Sequence, residues 1–467
     1  MNRFFKFLFL LGVFFNAHFY LFSQNNNEFY VKYIDTLDLR RHLTQLTSND
    51  FDGRLTGTAG QKKAADYIQS QLMEMNCKAI GADFYQAFKL FKDVRSGTIS
   101  LNKHKLNFPT DFGFFSLSQP FSFDISEFLF VEKLEVEKDY SDYYLIFQSK
   151  NFSSIEFDLE TVRCKGFIFI LSDYDERYFL YQSDDYKLAL DSIPFPVLFI
   201  NQKSLSSNFM HQLKKRKKPE LQITGSLNEN PVFVSTENVI GFIEGSDSLL
   251  KKEVVIISAH YDHLGTKDGE TYFGADDNGS GTAALLELAS AFQQAKLDGN
   301  QPKRSILLIA FTGEELGLLG STYYTSNPLI PLANTVANLN IDMIGRKTEL
   351  FETDSLLMVY LIGADRLSLG LDSVIKTTNN TYTNLMLDEK YNALNEPLNL
   401  YYRSDHYNFA KNGIPSCFFF GGFHDDYHKP TDTIEKISFE KIAQITRLVF
   451  HATWKIADAP NRLSLIE

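Results

Sequence analysis

The stretch Val254–Gly281 constrains the fold of this chain more than any other. It opens with four β-branched residues, Val-Val-Ile-Ile, which is typical of a strand buried on both faces of a parallel sheet. Small residues follow, then His260, with Asp262 two positions later. Because ligands of open α/β sheets bind where strands end, this histidine is well placed for chemistry. The pair suits a metal site, since a carboxylate can fix the orientation of a ligating imidazole.

The second half of this stretch is acidic and rich in small residues. Gly274–Gly281 holds Asp276, Asp277 and Asn278 just before an Ala- and Leu-rich helix predicted from Thr282. Such a turn brings carboxylates close together, which is costly unless a cation neutralises them. Asp and Asn are also common turn and cap residues, so an ordinary capped helix is the alternative. The rest of the chain decides between them.

Length and composition limit the classes of protein. A chain of 467 residues can fill more than one core, so we expect two domains. The net charge of -12 argues against nucleic acid as the principal partner. The three cysteines, Cys77, Cys164 and Cys417, allow at most one disulfide. Zinc ligands, if present, must then be His and carboxylates.

Residues 1–24 predict a secretory signal peptide. A short basic start precedes Phe7–Phe15, which is apolar except for one glycine, and polar residues follow. An uncleaved membrane anchor is the alternative, but Asn16 and His18 interrupt the apolar run and favour cleavage near residue 24. We therefore expect a secreted or periplasmic protein with no stable membrane insertion after cleavage.

Residues 25–83 are predicted as the first part of the main domain, which resumes at residue 231, and 84–230 as an inserted β-rich domain. The first part has two predicted helices, Leu37–Leu46 and Gln61–Met75, and a Gly-rich loop, Gly53–Gly60, that lacks the Walker pattern and is interpreted as structural. Aromatic-rich alternating segments indicate strands in the insertion. These are Tyr143–Phe147, Gly166–Leu171 and Val197–Ile200; the basic run Lys214–Lys218 is interpreted as a solvated turn.

Residues 231–467 alternate between strand and helix patterns. This indicates an α/β fold with a mostly parallel central sheet flanked by helices. The predicted strands are 254–258, Ser305–Phe311, Val336–Ile341 and Ile414–Phe420; the predicted helices are 282–295 and Phe439–Ile456. Ser373–Leu400 is a long, poorly periodic segment.

Candidate ligands follow three of these strands. These are His260, the Glu314–Glu315 pair and Asp342, and Asp277 and His428 add to them. All are of types that zinc accepts, and two metals sharing one carboxylate would use five of the six. Asp277 would bridge, His260 and Asp342 would complete one site, and Glu315 and His428 the other. The five predicted ligands are His260, Asp277, Glu315, Asp342 and His428.

Glu314 is not one of these five predicted metal ligands. Adjacent residues at a strand end can point in different directions, so Glu315 can bind metal while Glu314 faces the water. We therefore predict Glu314 as the general base and Asp262 as the residue that orients His260. Each residue alone has an ordinary explanation, such as a solvated loop or a turn cap. Their joint placement at strand ends favours an active site.

With these residues in place, the chain resembles the co-catalytic di-zinc aminopeptidases of metallopeptidase family twenty-eight, which also contains glutamate carboxypeptidases. The motifs match in order from about residue 232 onward, and Arg54–Ile68 matches the family's leading segment. The motifs are SAHYDH (Ser258–His263), GADDNGSG (Gly274–Gly281), FTGEELGLLGS (Phe311–Ser321), NIDMIG (Asn340–Gly345) and DYHKPTDT (Asp426–Thr433).

The resemblance implies a zinc-exopeptidase fold of the phosphorylase/hydrolase-like type, peptide substrates and two Zn²⁺ per chain. It also implies that Asp277 rather than Asp276 is the bridge, and that Tyr427 polarises the substrate carbonyl or stabilises the oxyanion. Ser404, Asp405 and His406 match a recurrent RSDH segment, for which a packing role stays open. The insertion resembles a diverged protease-associated domain.

We therefore expect a secreted aminopeptidase. A glutaminyl cyclase-like acyltransferase with a single zinc is one alternative, although the full set of five ligands favours two metals. An inactive binding ectodomain is another, but no ligand is missing. A carboxypeptidase for acidic residues also stays open, although the sequence has no clear basic specificity pocket.

Overall fold

The computed structural model describes residues 26–102, 104–114, 121–132, 138–150, 162–174, 187–188, 196–214, 222–347 and 358–466. The predicted signal peptide and residues 215–218 of the basic run lie outside the described residues. No helix in the described ranges is long and apolar enough to cross a membrane.

The helices and strands are numbered here in chain order. The helices are α1 Asn26–Tyr30, α2 Thr36–Leu46, α3 Ala59–Glu74, α4 Ser207–Lys214, α5 Gly281–Leu297, α6 Leu319–Ser326, α7 Leu369–Thr378, α8 His406–Ala410 and α9 Phe439–Asp458. The strands are β1 Tyr85–Leu101, β2 His104–Leu106, β3 Phe112–Phe114, β4 Phe121–Ile125, β5 Phe128–Phe130, β6 Tyr140–Ser149, β7 Cys164–Leu171, β8 Lys187–Leu188, β9 Val197–Asn201, β10 Ile223–Ile243, β11 Val254–His260, β12 Gly265–Lys267, β13 Glu270–Tyr272, β14 Ser305–Phe311, β15 Thr335–Asp342, β16 Met358–Ile362, β17 Met386–Asp388 and β18 Ser416–Phe420.

The chain divides into two compact units. One comprises described residues 26–88 and 235–466, and the other lies within residues 89–234. The sequence predicts the boundaries of the insertion at residues 84 and 230.

The first unit is built on a mostly parallel sheet, in the order β17-β16-β18-β15-β11-β14-β10. β11 lies between β14 and β15 and is parallel to both, and every residue of these three strands is buried. Continuous apolar strands of this kind need cover on both faces of the sheet. The predicted α/β class with a mostly parallel sheet is confirmed. The antiparallel members are β16, against β18, and β10, against β14.

Helices cover this sheet. α5 is buried on almost all sides, as expected for a helix that is apolar all round. On it, the ring of Phe292 packs 4.6 Å from Phe450 and 5.9 Å from Trp454, both on α9. This packing places the N-terminus of α5, and the acidic turn before it, at the end of β11.

The poorly periodic segment Ser373–Leu400 begins within a helix. Its first residues belong to α7, which continues to Thr378. Ser368 caps this helix by accepting a hydrogen bond from the Leu371 N–H, and only Leu371, Ile375 and Thr378 are buried. So few buried positions give a weak helical period. β16 was not predicted at all, since a short apolar run does not distinguish strand from helix.

The second unit contains a five-stranded sheet in the order β3-β9-β7-β6-β5. The three strands predicted from alternation correspond to β6, β7 and β9. Side chains alternate between two buried faces, as the pleat of a strand requires. One face stacks Phe147, Phe169 and Phe199, with neighbouring ring centroids 5.4 Å apart, whereas Ile168 and Ile200 line the other.

Candidate metal centre

Three parallel strands deliver charged side chains to one edge of the sheet. His260 ends β11 and Asp342 ends β15, while the Glu314–Glu315 pair follows β14. Because neighbouring parallel strands end at the same edge, residues more than fifty positions apart meet there. All five predicted ligands and Glu314 line a single cavity.

Asp277 lies at the centre of the cluster. Its Oδ1 is 3.4 Å from His260 Nε2, which is itself 3.4 Å from Asp342 Oδ1. Its Oδ2 is 3.1 Å from His428 Nε2, which is 3.2 Å from Glu315 Oε2. The two oxygens of Asp277 therefore face two different groups of ligand atoms.

Glu314 lies beside the first of these groups. Its Oε2 is 3.8 Å from His260 Nε2, and one ligand atom from each of Glu314, His260 and Asp342 lies within 4.8 Å of the others. Burial raises the pKa of Glu314 well above its usual range; His260 opposes this rise, and the charges of Asp342 and Glu315 add to it. The carboxyl therefore holds a proton more readily than an exposed glutamate does.

Asp262 contacts His260 differently from the prediction. The atom within hydrogen-bond distance of His260 Nδ1 is the main-chain oxygen of Asp262, at 3.2 Å, whereas the carboxylate Oδ1 lies at 3.6 Å. The carboxylate accepts hydrogen bonds from the Thr56 hydroxyl, at 2.8 Å, and from the Glu314 N–H, at 3.2 Å. Asp262 thus links His260 to the main chain of Glu314.

His263 is a site residue that the sequence did not single out. Its Nδ1 lies 2.7 Å from Glu315 Oε1 and 3.9 Å from Asp277 Oδ2, and its ligand atom groups with theirs within 4.8 Å. The available signal was a second histidine three positions after His260. Past the end of a strand the alternation of faces no longer applies, so sequence could not orient this side chain.

A buried arginine holds the turn that carries Asp277. The Arg54 guanidinium donates hydrogen bonds of 2.6–2.9 Å to four main-chain oxygens, those of Leu46, Tyr261, Phe273 and Gly274. Burial lowers its pKa to about 10, against the carboxylates that raise it, so the side chain stays charged at neutral pH. The Gly-rich loop that carries Arg54 thereby supports the site through packing, in line with its structural interpretation.

Left-handed backbone recurs around the cavity. Gly274, Met343 and His428 have φ of 54°, 54° and 55°. A Cβ on Gly274 would meet the Asp277 carbonyl oxygen and the His263 ring, so only glycine fits there. Met343 and His428 hold a conformation that side chains rarely adopt, as residues at functional sites often do.

Aromatic and apolar side chains form the remaining wall of the cavity. The Tyr427 ring stacks on His428 with centroids 3.8 Å apart, and its hydroxyl lies 3.5 Å from Arg403 Nη2. Burial raises the pKa of Tyr427, and the charges of Asp277 and Glu315 raise it further, so the phenol stays neutral and can donate a hydrogen bond. The other members of this wall are Met343, Leu400, Phe418, Phe420 and Phe423.

The RSDH segment contacts the predicted ligand Asp342. The Ser404 hydroxyl donates to Asp342 Oδ2 at 2.7 Å and accepts from Asn340 Nδ2 at 2.8 Å. Asp405 is buried, and burial raises its pKa to about 7. His406 is also buried, packs against Phe418, and has its pKa lowered to about 3 by burial. Ser404 therefore orients a predicted ligand, whereas His406 is a neutral packing residue.

Comparison with known proteins identifies the domain. The model of peptidase family M28 matches residues 238–453. Aminopeptidase YwaD of Bacillus subtilis (strain 168) is 30% identical over 250 residues, covering 52% of this chain and 48% of its own length. A probable leucine aminopeptidase of Arthroderma otae is 31% identical over 216 residues, covering 44% and 55%. A probable glutamate carboxypeptidase of Arthroderma benhamiae is 40% identical over 107 residues, covering 23% and 14%. The chain thus spans about half the length, or less, of these relatives.

Solved structures share the fold. An aminopeptidase from Aneurinibacillus sp. strain AM-1 superposes with a TM-score of 0.51 at 18% identity, over 94% of this chain and 98% of its own. A zinc aminopeptidase from Bacillus subtilis gives 0.51 at 21% identity, over 93% and 98%. With the family match and the motifs that carry the clustered side chains, residues 238–453 are a peptidase family M28 domain.

Proposed function

We propose that this chain is a secreted or periplasmic zinc-dependent aminopeptidase that removes N-terminal residues from peptides. The observation that carries the proposal is the position of Asp277, whose two oxygens face separate groups of ligand atoms in one buried cavity. Relatives named as aminopeptidases support the reaction class.

The residues of the cavity fit zinc. Four carboxylates lie close together there, and Oδ1 of the buried Asp342 has no hydrogen-bond partner among the described residues. Buried like charges are costly unless a cation neutralises them. His260 and Asp342 would hold one Zn²⁺, Glu315 and His428 a second, and Asp277 both. When bound, the zinc ions would polarise the substrate carbonyl and lower the pKa of water.

The chain's own residues move the proton. Glu314 takes the proton of the attacking water and returns it to the leaving amine, a transfer suited to a carboxyl whose pKa is raised by burial. The neutral Tyr427 hydroxyl donates a hydrogen bond to the carbonyl oxygen as negative charge develops on it. Asp262 keeps His260 in orientation through its main-chain oxygen.

The charge and shape of the cavity favour a free amino terminus. Glu314, Glu315 and Asp342 attract an ammonium group, and the aromatic wall takes the adjoining side chain. For the insertion we propose a diverged protease-associated domain, on the strength of its sheet of mostly parallel strands with two apolar faces.

The test is metal content of the purified chain together with hydrolysis of a panel of aminoacyl-anilides. Two zinc ions per chain with release of anilide is the expected result. One zinc with cyclisation of an N-terminal Gln peptide would instead identify a glutaminyl cyclase-like enzyme. Absence of both metal and turnover would leave a binding module.

A further inference from the structure

Resting on the proposed function, we propose that Arg403 binds a carboxylate of the residue that follows the scissile bond, so that short or acidic peptides are preferred substrates. The carboxylate has two sources with the same chemistry: the free C-terminus of a dipeptide, or the side chain of an acidic residue. Arg403 lines the same cavity as the clustered ligands.

Arg403 is the cavity-lining cation that is available to a ligand. Its side chain is exposed, and it forms no ion pair with any residue that the structure describes. Arg346, three residues after the cavity-lining Met343, is by contrast engaged by Asp426 at 2.6 Å and Asp432 at 3.4 Å. A guanidinium presents a planar fork of donors that matches a carboxylate.

Contacts with two aromatic side chains restrict the position of the Arg403 guanidinium. Its central carbon lies 5.6 Å from the centroid of Phe423, and its Nη2 lies 3.5 Å from the Tyr427 hydroxyl. Tyr427 in turn stacks on the predicted ligand His428. These contacts hold the positive charge one side chain away from the ligands, with less rotamer freedom to lose on binding.

The arrangement of positive and negative side chains in the cavity then matches a short zwitterionic peptide. The carboxylates of Glu314 and Asp342 attract the ammonium group of the substrate, and Arg403 attracts its carboxylate. Met343 and Phe420, in the same cavity lining, offer an apolar surface for a side chain. A long neutral peptide has no carboxylate at this position and so does not make the contact with Arg403.

The experiment compares four substrates of one enzyme: Leu-Gly, Leu-Gly-amide, Leu-Asp-amide and leucine anilide. In R403Q, the kcat/KM ratio of a carboxylate-bearing substrate to Leu-Gly-amide should fall about tenfold, the scale of one charge-assisted hydrogen bond. A fall for Leu-Gly identifies the C-terminus as the source, and a fall for Leu-Asp-amide identifies the side chain. R403K, which keeps the charge but loses the fork, should give a smaller fall.

Lys411→Gln is the matched control. Lys411 is an exposed cation eight residues after Arg403 that does not line the cavity, so its loss should leave all the ratios unchanged. Equal losses of kcat/KM on all four substrates in R403Q would overturn the inference. They would show that Arg403 acts by positioning Tyr427. Unchanged ratios would overturn it too. Failure of the wild type to cleave leucine anilide, which has no carboxylate, would instead refute the proposed function.

Discussion

The carboxylate of Asp432 accepts a hydrogen bond from the main-chain N–H of Asp277 at 3.2 Å. The same oxygen accepts the N–H of Asp276 at 2.9 Å, and Arg346 reaches the other oxygen at 3.4 Å. Asp432 is fully buried. A residue near the C-terminus thus fixes the main chain of the proposed bridging ligand, and Arg54 fixes the carbonyls just before it.

Replacing Asp432 by Ala should weaken both the fold and the metal centre. Two buried N–H groups would lose their acceptor, and Arg346 would keep only its ion pair with Asp426, for a loss of about 2–4 kcal/mol in the free energy of unfolding. Zinc affinity should fall by about 10–100-fold, the usual effect of losing a residue that orients a ligand. Chemical denaturation and competition with a chelator measure the two effects. The exposed Asp425 supplies the control variant Asp425→Ala, and normal zinc affinity in a folded Asp432→Ala protein would contradict the prediction.

Replacing Asp277 by Ala should remove metal from the chain. This residue contributes an oxygen to each group of ligand atoms, so its loss opens both sites together. Elemental analysis after gel filtration is the measurement, with Asp425→Ala again as the control. Retention of two zinc ions per chain would show that Asp277 is not the bridge.

Replacing Glu314 by Gln should separate catalysis from metal binding. The amide keeps the size of the side chain but cannot accept the proton, so kcat should fall by about 10²–10⁴-fold, the scale of a lost general base. Metal content should stay at the wild-type value. If the variant keeps its activity with full zinc, the base is another residue; if it loses zinc, Glu314 is a ligand, as its proximity to His260 and Asp342 permits.

His451 should make stability depend on pH below neutrality. Burial lowers its pKa to about 4, and Lys455 adds to the shift. An unfolded histidine titrates near 6.5, so between these values the unfolded chain binds more protons and acid favours unfolding. In the wild type the His451 ring stacks on Tyr382 with centroids 4.0 Å apart. His451→Phe retains a ring for this stacking but takes up no proton.

The free energy of unfolding of wild type relative to His451→Phe should therefore fall by about 2–3 kcal/mol from pH 7 to pH 4. Urea denaturation of both proteins at several pH values measures this difference. A constant difference over that range would show that His451 titrates normally in the folded protein.

Much of the peptidase family M28 domain could be predicted from local patterns. The runs at β11 and β14 are continuous and apolar because both faces of these strands are covered, and such runs need no knowledge of distant residues. The class of fold followed from the alternation of such runs with helical periods. The M28 motifs lie at the ends of these elements, so family membership was also accessible.

The predicted ligands meet for the same reason. Parallel strands end at one edge, and His260 and Asp342 are the last residues of neighbouring strands. Sequence could therefore bring ligand types together, but it could not assign an oxygen of Asp277 to each group.

Other features were decided by tertiary structure alone. Arg54, Asp432 and Ser404 act on the site through hydrogen bonds to main-chain groups or to ligands far away in the chain, and such contacts leave no local period. His263 contacts Glu315 and lies beyond the end of β11, where strand alternation no longer predicts the direction of a side chain. The amino-acid sequence thus determined which elements form and which chemical groups their ends carry. Only packing of distant segments decided which atoms face one another, because that depends on contacts between residues that sequence separates.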